Sequence, residues 1–435
     1  MFTALEDVHV RQELQQRIDD ARKQTDQLFD MVRRDSLYER PIPERHRIIF
    51  YLGHLEAFDW NLLQPRLANA RVFNAEFDRL FAFGIDPVDG GLPTDQPRDW
   101  PAVEHVERYR NRARATLDAS LASIDELPQT LLHVAIEHRL MHAETLAYMF
   151  HQLPFGRKYR MPQLAASAAV PLTTGMIEIP PGLATLGMPR HSASRFGWDN
   201  EFEAAAIDVP RFSIDRHKVT NGEYLKFVDA GGYGERSLWS PQGWDWKSRN
   251  GIEAPAFWLR SGGEWRYRGM FEELPMPVDC PVYVSHAEAN AYAAWVGKRL
   301  PTEAEWHRAA YGTLAGGERE FPWGDAQPKQ CHGYLDGGRW DPSPVNAFPA
   351  GSSGFRVEGL LTNGWEWTAT PFEPFPGFRP FPFYEGYSQN FFDGLHFVLK
   401  GGSSRTDSCM LRRSFRNWFQ PHYQNVYAGF RCAGR

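Results

Sequence analysis

The sequence changes character well before the midpoint of its 435 residues, and this change limits the folds that it can adopt. Up to about Met161 it is rich in Leu, Arg, Glu, Ala and Gln, with apolar residues three or four positions apart, as at Leu55, Phe58 and Leu62. From about Leu172 onwards Gly, Pro, Trp and Phe are frequent, and short apolar runs alternate with turn residues. The first spacing is typical of amphipathic helices and the second pattern of short strands and loops. We therefore expect an α+β protein with two domains.

The first half, residues 1–155, is predicted to form an antiparallel four-helix bundle. Its periodic apolar positions predict long helices near residues 4–34, 44–68, 101–123 and 128–153. Helices of this length bury their apolar stripes best against antiparallel neighbours, and binding sites in such bundles lie between facing helices. Residues 156–171 are predicted to be a linker.

The second half, residues 172–435, is predicted to be a loop-rich domain of short elements. The runs Met176–Ile179 and Phe212–Asp215 are bounded by turn residues and predict strands. One clear helical pattern covers Ser285–Val296, and a second helix is expected to start at Thr302. The many Trp and Phe residues suit a core that bulky side chains fill where long regular elements are few.

The charge balance argues against nucleic-acid binding. The chain has 48 Lys and Arg against 54 Asp and Glu, a net charge of −6, and the two signs are interleaved, whereas a nucleic-acid surface needs a basic stripe. The four cysteines are widely spaced without a CxxC pair, as in proteins of a reducing compartment. The sequence shows neither an apolar leader nor a stretch long enough to span a membrane. We expect a cytoplasmic monomer or weak dimer without nucleic-acid or membrane partners.

Two histidines on the last predicted helix of the bundle are the sharpest chemical feature. His138 and His142 are four residues apart, so both imidazoles leave the same helix face, one turn apart. A third imidazole could come from His54 on the second predicted helix, which would face the last one across the bundle. Imidazole suits zinc, copper, nickel and iron alike, so the residues do not name the metal. The same spacing also occurs in histidine pairs that bind no metal.

Several short motifs of the second half occur in a fixed order. They are Val219–Tyr224, Lys298–Trp306, Asn363–Thr368, Gly401–Ser403 and Gly429–Arg431. Together they resemble the formylglycine-generating, or sulfatase-modifying, enzymes over nearly all of residues 172–435. With a DinB-like bundle before them that carries a Gly-His-Leu histidine and an HxxxH pair, the whole chain resembles the ergothioneine-type sulfoxide synthases.

This resemblance implies an oxygen-dependent enzyme. In the family, Fe(II) is bound by the histidines that match His54, His138 and His142, and a chalcogen atom is joined to the imidazole carbon between the two nitrogens of hercynine, a histidine betaine. The family's Asn-Trp pair, which helps to bind hercynine, matches Asn417 and Trp418.

Further residues near these motifs are candidates for binding roles. Arg416, with Arg412 and Arg413 close by, could supply hydrogen-bond donors to a pocket beside Trp418, although internal salt bridges would explain the same residues. Asn363 and Glu366 match a calcium-binding segment of the fold. A tight turn around a buried Trp explains that segment equally well.

Departures from the family pattern concern the donor of the chalcogen atom. Synthases that accept γ-glutamylcysteine have an Asp and an Arg where this chain has Phe419 and Tyr423, and a Gln where it has Met141. The arginines expected between His54 and His138 give way to residues 84–89, Gly-Ile-Asp-Pro-Val-Asp. Because an unpaired carboxylate is costly to desolvate, a neutral, hydroxyl-rich donor fits better. The pattern resembles the selenoneine synthase branch, which implies a selenosugar donor, with cysteine or γ-glutamylcysteine as the alternative.

More than one residue could be the proton donor, and more than one class of function fits parts of the sequence. The family's catalytic tyrosine falls in the segment that matches residues 374–384, where the nearest equivalents are phenylalanines, so Tyr384 or Tyr423 is the candidate acid. A true formylglycine-generating enzyme needs a cysteine pair, but only Cys409 is present and Ser404 stands in the partner's place. A non-catalytic small-molecule-binding module is the alternative from another class.

Overall fold

The computed structural model describes residues 2–67, 70–82, 92–123, 128–165, 172–190 and 196–434. It divides into two compact units, Met1–Met161 and Pro162–Arg435, called here the bundle unit and the C-terminal unit. Among the described residues, none of the helices combines the length and apolar character that a membrane crossing needs.

The bundle unit is helical, as predicted. Its α-helices are α1 Phe2–Met31, α2 Ile48–Leu63, α3 Ala75–Leu80, α4 Val103–Ser123 and α5 Gln129–Gln152. Helix α1 packs against α5, and α2 packs against both α4 and α5. Nearly every residue of α5 from Leu131 to His151 is buried, so this helix forms the centre of the unit.

The four long helices match their predicted positions to within a few residues, but two details differ. Helix α2 begins at Ile48 and not near residue 44, because the backbone N–H of Arg45 donates to the carbonyl of Ile42 in a turn and Arg47, with ψ at 154°, is still extended. The short helix α3 was not predicted. It begins after Asn74, whose side-chain oxygen accepts a hydrogen bond from the backbone N–H of Phe77, a capping signal that the sequence does contain.

The C-terminal unit contains small sheets separated by loops. Its strands are β1 Met176–Ile179, β2 Gly182–Leu186, β3 Ala205–Val209, β4 Phe212–Asp215, β5 Trp258–Ser261, β6 Glu264–Arg268, β7 Glu273–Pro275, β8 Trp365–Pro371, β9 Phe397–Lys400, β10 Asn417–Phe419 and β11 Ala428–Gly429. The two predicted strands, β1 and β4, are confirmed residue for residue and pair antiparallel, with Met176 opposite Asp215. Strands β2 and β3 pair likewise, as do β5, β6 and β7 in a three-stranded sheet.

A four-stranded sheet in the order β10-β9-β8-β11 carries several of the motif residues. Strands β8, β9 and β10 are antiparallel, and β11 runs parallel to β8. The register places Trp418 opposite Val398. The motif with Asn417 and Trp418 is therefore part of a sheet edge strand and not of a free loop.

The helices of the C-terminal unit are more numerous than predicted. Helix α8, His286–Trp295, and helix α9, Glu303–Tyr311, confirm the two predicted starts, because Ser285 and Thr302 cap them with capping boxes. Helices α6, Asn221–Asp229, and α7, Pro241–Arg249, were missed, so the two predicted helices are only part of the helical content of this unit. Both are short and are stabilised by caps at Thr220 and Ser240 more than by a long apolar stripe.

The core of this unit lies where α9 packs on β2 and β3. Trp306, Ile179 and Ile214 are fully buried there together with Ala184, Ala309 and Val357. Large aromatic side chains thus fill a core between short elements, as the composition predicts.

The predicted linker, 156–171, lies only partly in the described residues. Lys158 forms a backbone bridge with Val32 in the bundle unit, and the N–H of Leu164 donates to Gly338 in the C-terminal unit. Residues 166–171 lie outside the described part of the chain. The linker boundaries stay a prediction.

Candidate metal centre

Helices α2 and α5 bring the three predicted histidines together. The ring centroids are 5.3 Å apart for His54 and His138, 4.9 Å for His54 and His142, and 4.5 Å for His138 and His142. One ligand nitrogen from each lies within 4.8 Å of the others, and all three side chains are buried. Within the described residues no other set of His, Cys, Asp and Glu side chains gathers three ligand atoms this closely.

Hydrogen bonding leaves nitrogen atoms of the triad available to a metal ion. His54 Nδ1 lies 2.7 Å from the carbonyl oxygen of Phe81, so Nδ1–H donates and Nε2 carries the lone pair. His54 Nε2 is buried without a hydrogen-bond partner, as are Nδ1 of His138 and Nδ1 of His142. A buried acceptor without a partner is destabilising. A metal ion bound between the three rings would compensate for this cost, so the residues fit the implied ion.

The protonation state of the triad also suits metal binding. Burial lowers the pKa of His54 to about 4, although the Phe81 carbonyl opposes this shift. Burial, followed by the neighbouring histidines, holds the pKa values of His138 and His142 well below their usual range. All three imidazoles are therefore neutral near pH 7. Neutral imidazole is the form that binds metal ions.

Aromatic side chains surround the triad. Phe58 stacks on His138 with 3.4 Å between centroids and an angle of 12°, and Phe50 stacks on His54 at 4.8 Å and 19°. The fully buried ring of Tyr51 lies 5.7 Å from the ring of His142. These rings restrict the rotation of the histidines and keep bulk water away from the ligand atoms.

Comparison with known proteins identifies the family to which the chain belongs. The sulfatase-modifying factor enzyme 1-like domain family matches residues 162–435. The chain is 41% identical to hercynine oxygenase of Mycobacterium tuberculosis over 327 residues, covering 73% of this chain and 75% of the relative. It is 37% identical to hercynine oxygenase of Mycolicibacterium smegmatis over 409 residues, covering 91% and 93%. The chain belongs to the ergothioneine-type sulfoxide synthase family. The family predicted from the motifs is thereby confirmed.

A more distant relative contains a similar region within a longer chain. Ergothioneine biosynthesis protein 1 of Schizosaccharomyces pombe is 28% identical over 441 residues, covering 92% of this chain and 53% of that protein. The chain thus spans about half the length of that relative.

The residues predicted to bind hercynine, Asn417 and Trp418, lie on β10. Trp418 is half-buried and stacks on Phe372, with centroids 4.2 Å apart and an angle of 6°, while Tyr387 and Phe391 contact its edges. Asn417 Oδ1 accepts a hydrogen bond from the backbone N–H of Trp418. The indole is held in one plane by its neighbours, and its binding role stays a prediction.

Arg416 makes contacts that oppose its predicted role as a pocket donor. Its guanidinium forms a bidentate ion pair with Glu303, at 3.1 Å for both bonds, and both side chains are buried. It also lies over the rings of Phe372 and Phe375. Internal salt bridges, the alternative raised from the sequence, account for Arg416 and likewise for Arg412 and Arg413, which pair with Glu201 and Glu318.

The residues that depart from the family's donor pattern lie in both units. In the C-terminal unit, Phe419 and Tyr423 stack almost parallel, with centroids 5.2 Å apart and an angle of 6°, and Tyr423 is buried. In the bundle unit, Met141 is half-buried and directly precedes His142 on α5. Residues 84–89 lie outside the described residues. Tyr384, the other candidate acid, is half-buried with its ring 5.5 Å from that of Tyr387.

The predicted calcium residues are engaged by the protein itself. The buried carboxylate of Glu366 pairs with Arg431 at 2.6 Å and with Lys218 at 3.2 Å. Asn363 exchanges hydrogen bonds with the backbone of Ser343 through both atoms of its amide. These contacts favour the tight turn over the calcium site, since a cation would have to displace two basic side chains from Glu366.

Sequence reasoning missed the groups that orient the triad. An ideal Cβ on Gly53 would lie 2.6 Å from atoms of the Phe81 ring, so only glycine lets this ring approach α2 closely enough for its carbonyl to bind His54. The Gly before His54 is a signal that the sequence contains. The partner, Phe81, is 27 residues away and could be identified only from the tertiary structure.

Proposed function

We propose that this synthase is a non-haem Fe(II) enzyme that uses O2 to join a chalcogen atom to the imidazole ring of hercynine. The observation that carries the proposal is the buried triad of neutral histidines with unpartnered nitrogens, His54, His138 and His142. Relatives named hercynine oxygenase, which cover most of the chain, support the choice of hercynine and oxygen.

The residues of the triad would hold the iron through neutral imidazole. Bound Fe(II) supplies the redox chemistry with O2 that forming a carbon–chalcogen bond requires. The carbonyl of Phe81 fixes the orientation of His54, and the rings of Phe50 and Phe58 exclude water from the ligand atoms. Trp418, held flat by Phe372, and Asn417 are proposed to bind hercynine. The phenol of Tyr384 or Tyr423 is proposed to supply a proton.

The proposed donor is a selenosugar, a 1-seleno-glucose, which would make the chain a selenoneine synthase. The contacts of the C-terminal unit support a donor without charged groups. The positions of the family's acidic and basic anchors hold the stacked rings of Phe419 and Tyr423, and the nearby Arg416 is committed to Glu303. The carboxylate of an amino-acid donor would therefore lose water without gaining a partner at these positions.

The alternative is an ergothioneine sulfoxide synthase that uses cysteine or γ-glutamylcysteine, and the names of the relatives favour it. Parallel incubations separate the two: iron-loaded protein with hercynine, O2 and one donor, analysed by mass spectrometry. We expect turnover with the selenosugar that exceeds turnover with γ-glutamylcysteine at least tenfold. Turnover with the cysteine donors alone would contradict the selenosugar proposal.

A double variant provides the matched test of the donor. Phe419→Asp with Tyr423→Arg restores the family's charged pair, so the ratio of activity with γ-glutamylcysteine to activity with the selenosugar should rise. Loss of the Tyr423 phenol as a proton donor would lower both activities and leave this ratio as the readout. If the double variant keeps the ratio of the two activities found in the unsubstituted protein, these positions do not contact the donor.

A further inference from the structure

We propose that Arg139 is a positioning residue that fixes α2 against α5 and thereby sets the spacing of the three histidines. This inference rests on the proposed metal site and concerns its construction. Arg139 lies next to His138 in sequence, but its two ion pairs are with Glu56 and Asp59 on α2, the other helix that carries the triad.

Arg139 holds α2 through its guanidinium group. Its Nη1 and Nη2 donate to the two carboxylate oxygens of Glu56 at 3.1 and 2.9 Å, and Nη2 also donates to Asp59 at 2.6 Å and to the carbonyl of Leu55 at 3.0 Å. Arg139, Glu56 and Asp59 are 2%, 1% and 4% exposed. These contacts span a little more than one turn of α2, from Leu55 to Asp59, beginning at the residue after His54.

The geometry of the helices separates this contact from the triad. One residue turns an α-helix by about 100°, so Arg139 leaves α5 on a different side from His138. Glu56 is two positions after His54 and leaves α2 about 160° away from it. The triad and the Arg139 ion pairs therefore join the same two helices, α2 and α5, but through side chains that leave each helix in different directions. A change in the rotation or separation of α2 and α5 would break the Arg139 contacts and move His54 relative to His138 and His142.

The other long helices, α1 and α4, also contact this ion-pair cluster. Arg114 on α4 donates to Glu56 at 2.8 Å and also binds Asp26 on α1 at 2.7 Å. Arg139 lies 3.4 Å from the hydroxyl of Thr25, also on α1. The clamp of Arg139, Glu56 and Asp59 is thus tied to the four long helices, α1, α2, α4 and α5, through protein groups alone.

Arginine is specifically suited to this position. Its guanidinium is planar, always charged, and presents donors in a fork that can reach two carboxylates and a carbonyl at once. A lysine would keep the positive charge but could not make this set of hydrogen bonds. A methionine would keep much of the side-chain volume but neither the charge nor the hydrogen bonds. A buried ion pair adds little net stability compared with an apolar core, but it selects one arrangement of its partners.

The test measures Co(II) binding to the full chain, with the metal alone as probe. Arg139→Lys and Arg139→Met should each raise the Kd for Co(II) at least tenfold and change the visible absorption of bound Co(II), while the far-ultraviolet circular dichroism at the assay temperature stays that of the unchanged protein. Glu56→Gln, which removes the acceptor charge on the other helix, should act in the same direction and serves if an Arg139 variant does not fold.

A destabilised control separates geometry from stability. Leu14→Ala creates a cavity under a buried side chain of α1, about 16 Å along the helix from Thr25, and should lower the melting temperature while leaving the Kd for Co(II) within twofold. Arg139 variants that fold and bind Co(II) with the unchanged Kd and spectrum would overturn the positioning role. Failure of the unsubstituted protein itself to bind Co(II) would instead overturn the proposed metal site, and the clamp's role with it.

Discussion

At the scale of single residues, the site depends on groups that are not themselves ligands. His54 has one nitrogen bound to the Phe81 carbonyl and the other unpartnered, so the direction of its lone pair is set by the backbone of another segment. Such outer contacts fix the orientation of a metal-binding imidazole.

Gly53 gives a direct prediction at this scale. In Gly53→Ala the new methyl group must displace the Phe81 ring, and the carbonyl that orients His54 moves with it. We expect a loss of about 1–3 kcal/mol in unfolding free energy and a roughly 10- to 100-fold weaker affinity for Fe(II), measured by anaerobic titration. Gly156→Ala is the matched control, because nothing lies within 4 Å of its Cβ. Equal Fe(II) affinity in both variants would contradict this account of Gly53.

The sequence predicted the ligands but not what holds them. The spacing of His138 and His142 follows from helix periodicity, His54 was placed opposite them from the predicted bundle, and the family resemblance supported all three as ligands. The contact between Arg139 and Glu56 joins residues 83 positions apart, and each residue alone is an ordinary charged residue of a helix. Their burial depends on how four helices pack, which periodicity does not specify.

At the scale of elements, two helices of the C-terminal unit were predicted from their starts, α8 and α9, and two of similar length were missed. Helix α8 begins where Ser285 caps it, and its first residue, His286, is buried against β8 and β9. Helices α6 and α7 have nine residues each, as α9 does, so length does not separate the missed helices from the predicted ones. Thr220 forms a capping box at the start of α6, a signal that the sequence contains, whereas Ser240 caps α7 without one.

His286 makes the stability of this region depend on pH. Its imidazole stacks on Phe397 at 3.9 Å and hydrogen-bonds the Thr368 carbonyl, and burial lowers its pKa from 6.5 to about 3. Above about pH 6.5 His286 is neutral in both the folded and the unfolded chain, so it does not change the unfolding free energy with pH. Below pH 6.5 the unfolded chain binds a proton at this residue and the folded chain does not. Stability is then lost as the pH falls towards 3.

The size of this effect follows from linkage. Between pH 7 and pH 5 the unfolding free energy should fall by about 2 kcal/mol more in the unsubstituted protein than in His286→Gln, as measured by urea unfolding at each pH. His105→Gln, at an exposed position of α4, should keep the pH dependence of the unsubstituted protein. The same pH dependence in His286→Gln would show that His286 is not the group responsible.

At the scale of the whole molecule, the two units contribute different parts of the proposed chemistry. The bundle unit contains the proposed metal ligands and the Arg139 clamp, and the C-terminal unit contains Asn417, Trp418 and the aromatic residues at the proposed donor positions. The family match and the predicted order of motifs agree over 162–435. The choice between sulfur and selenium depends on a few side chains in a fold that both chemistries share, so fold alone does not decide it.

The central claim is that iron bound by the histidine triad drives oxygen chemistry on hercynine. The most direct measurement is iron content together with hercynine-dependent O2 uptake, with a donor present, for the unsubstituted protein, His138→Ala and His133→Ala. His133 lies on the same helix but outside the triad. We expect one iron per chain and hercynine-dependent uptake in the unsubstituted protein and in His133→Ala, and the loss of both in His138→Ala. A folded His138→Ala protein with unchanged iron content and O2 uptake would contradict the account.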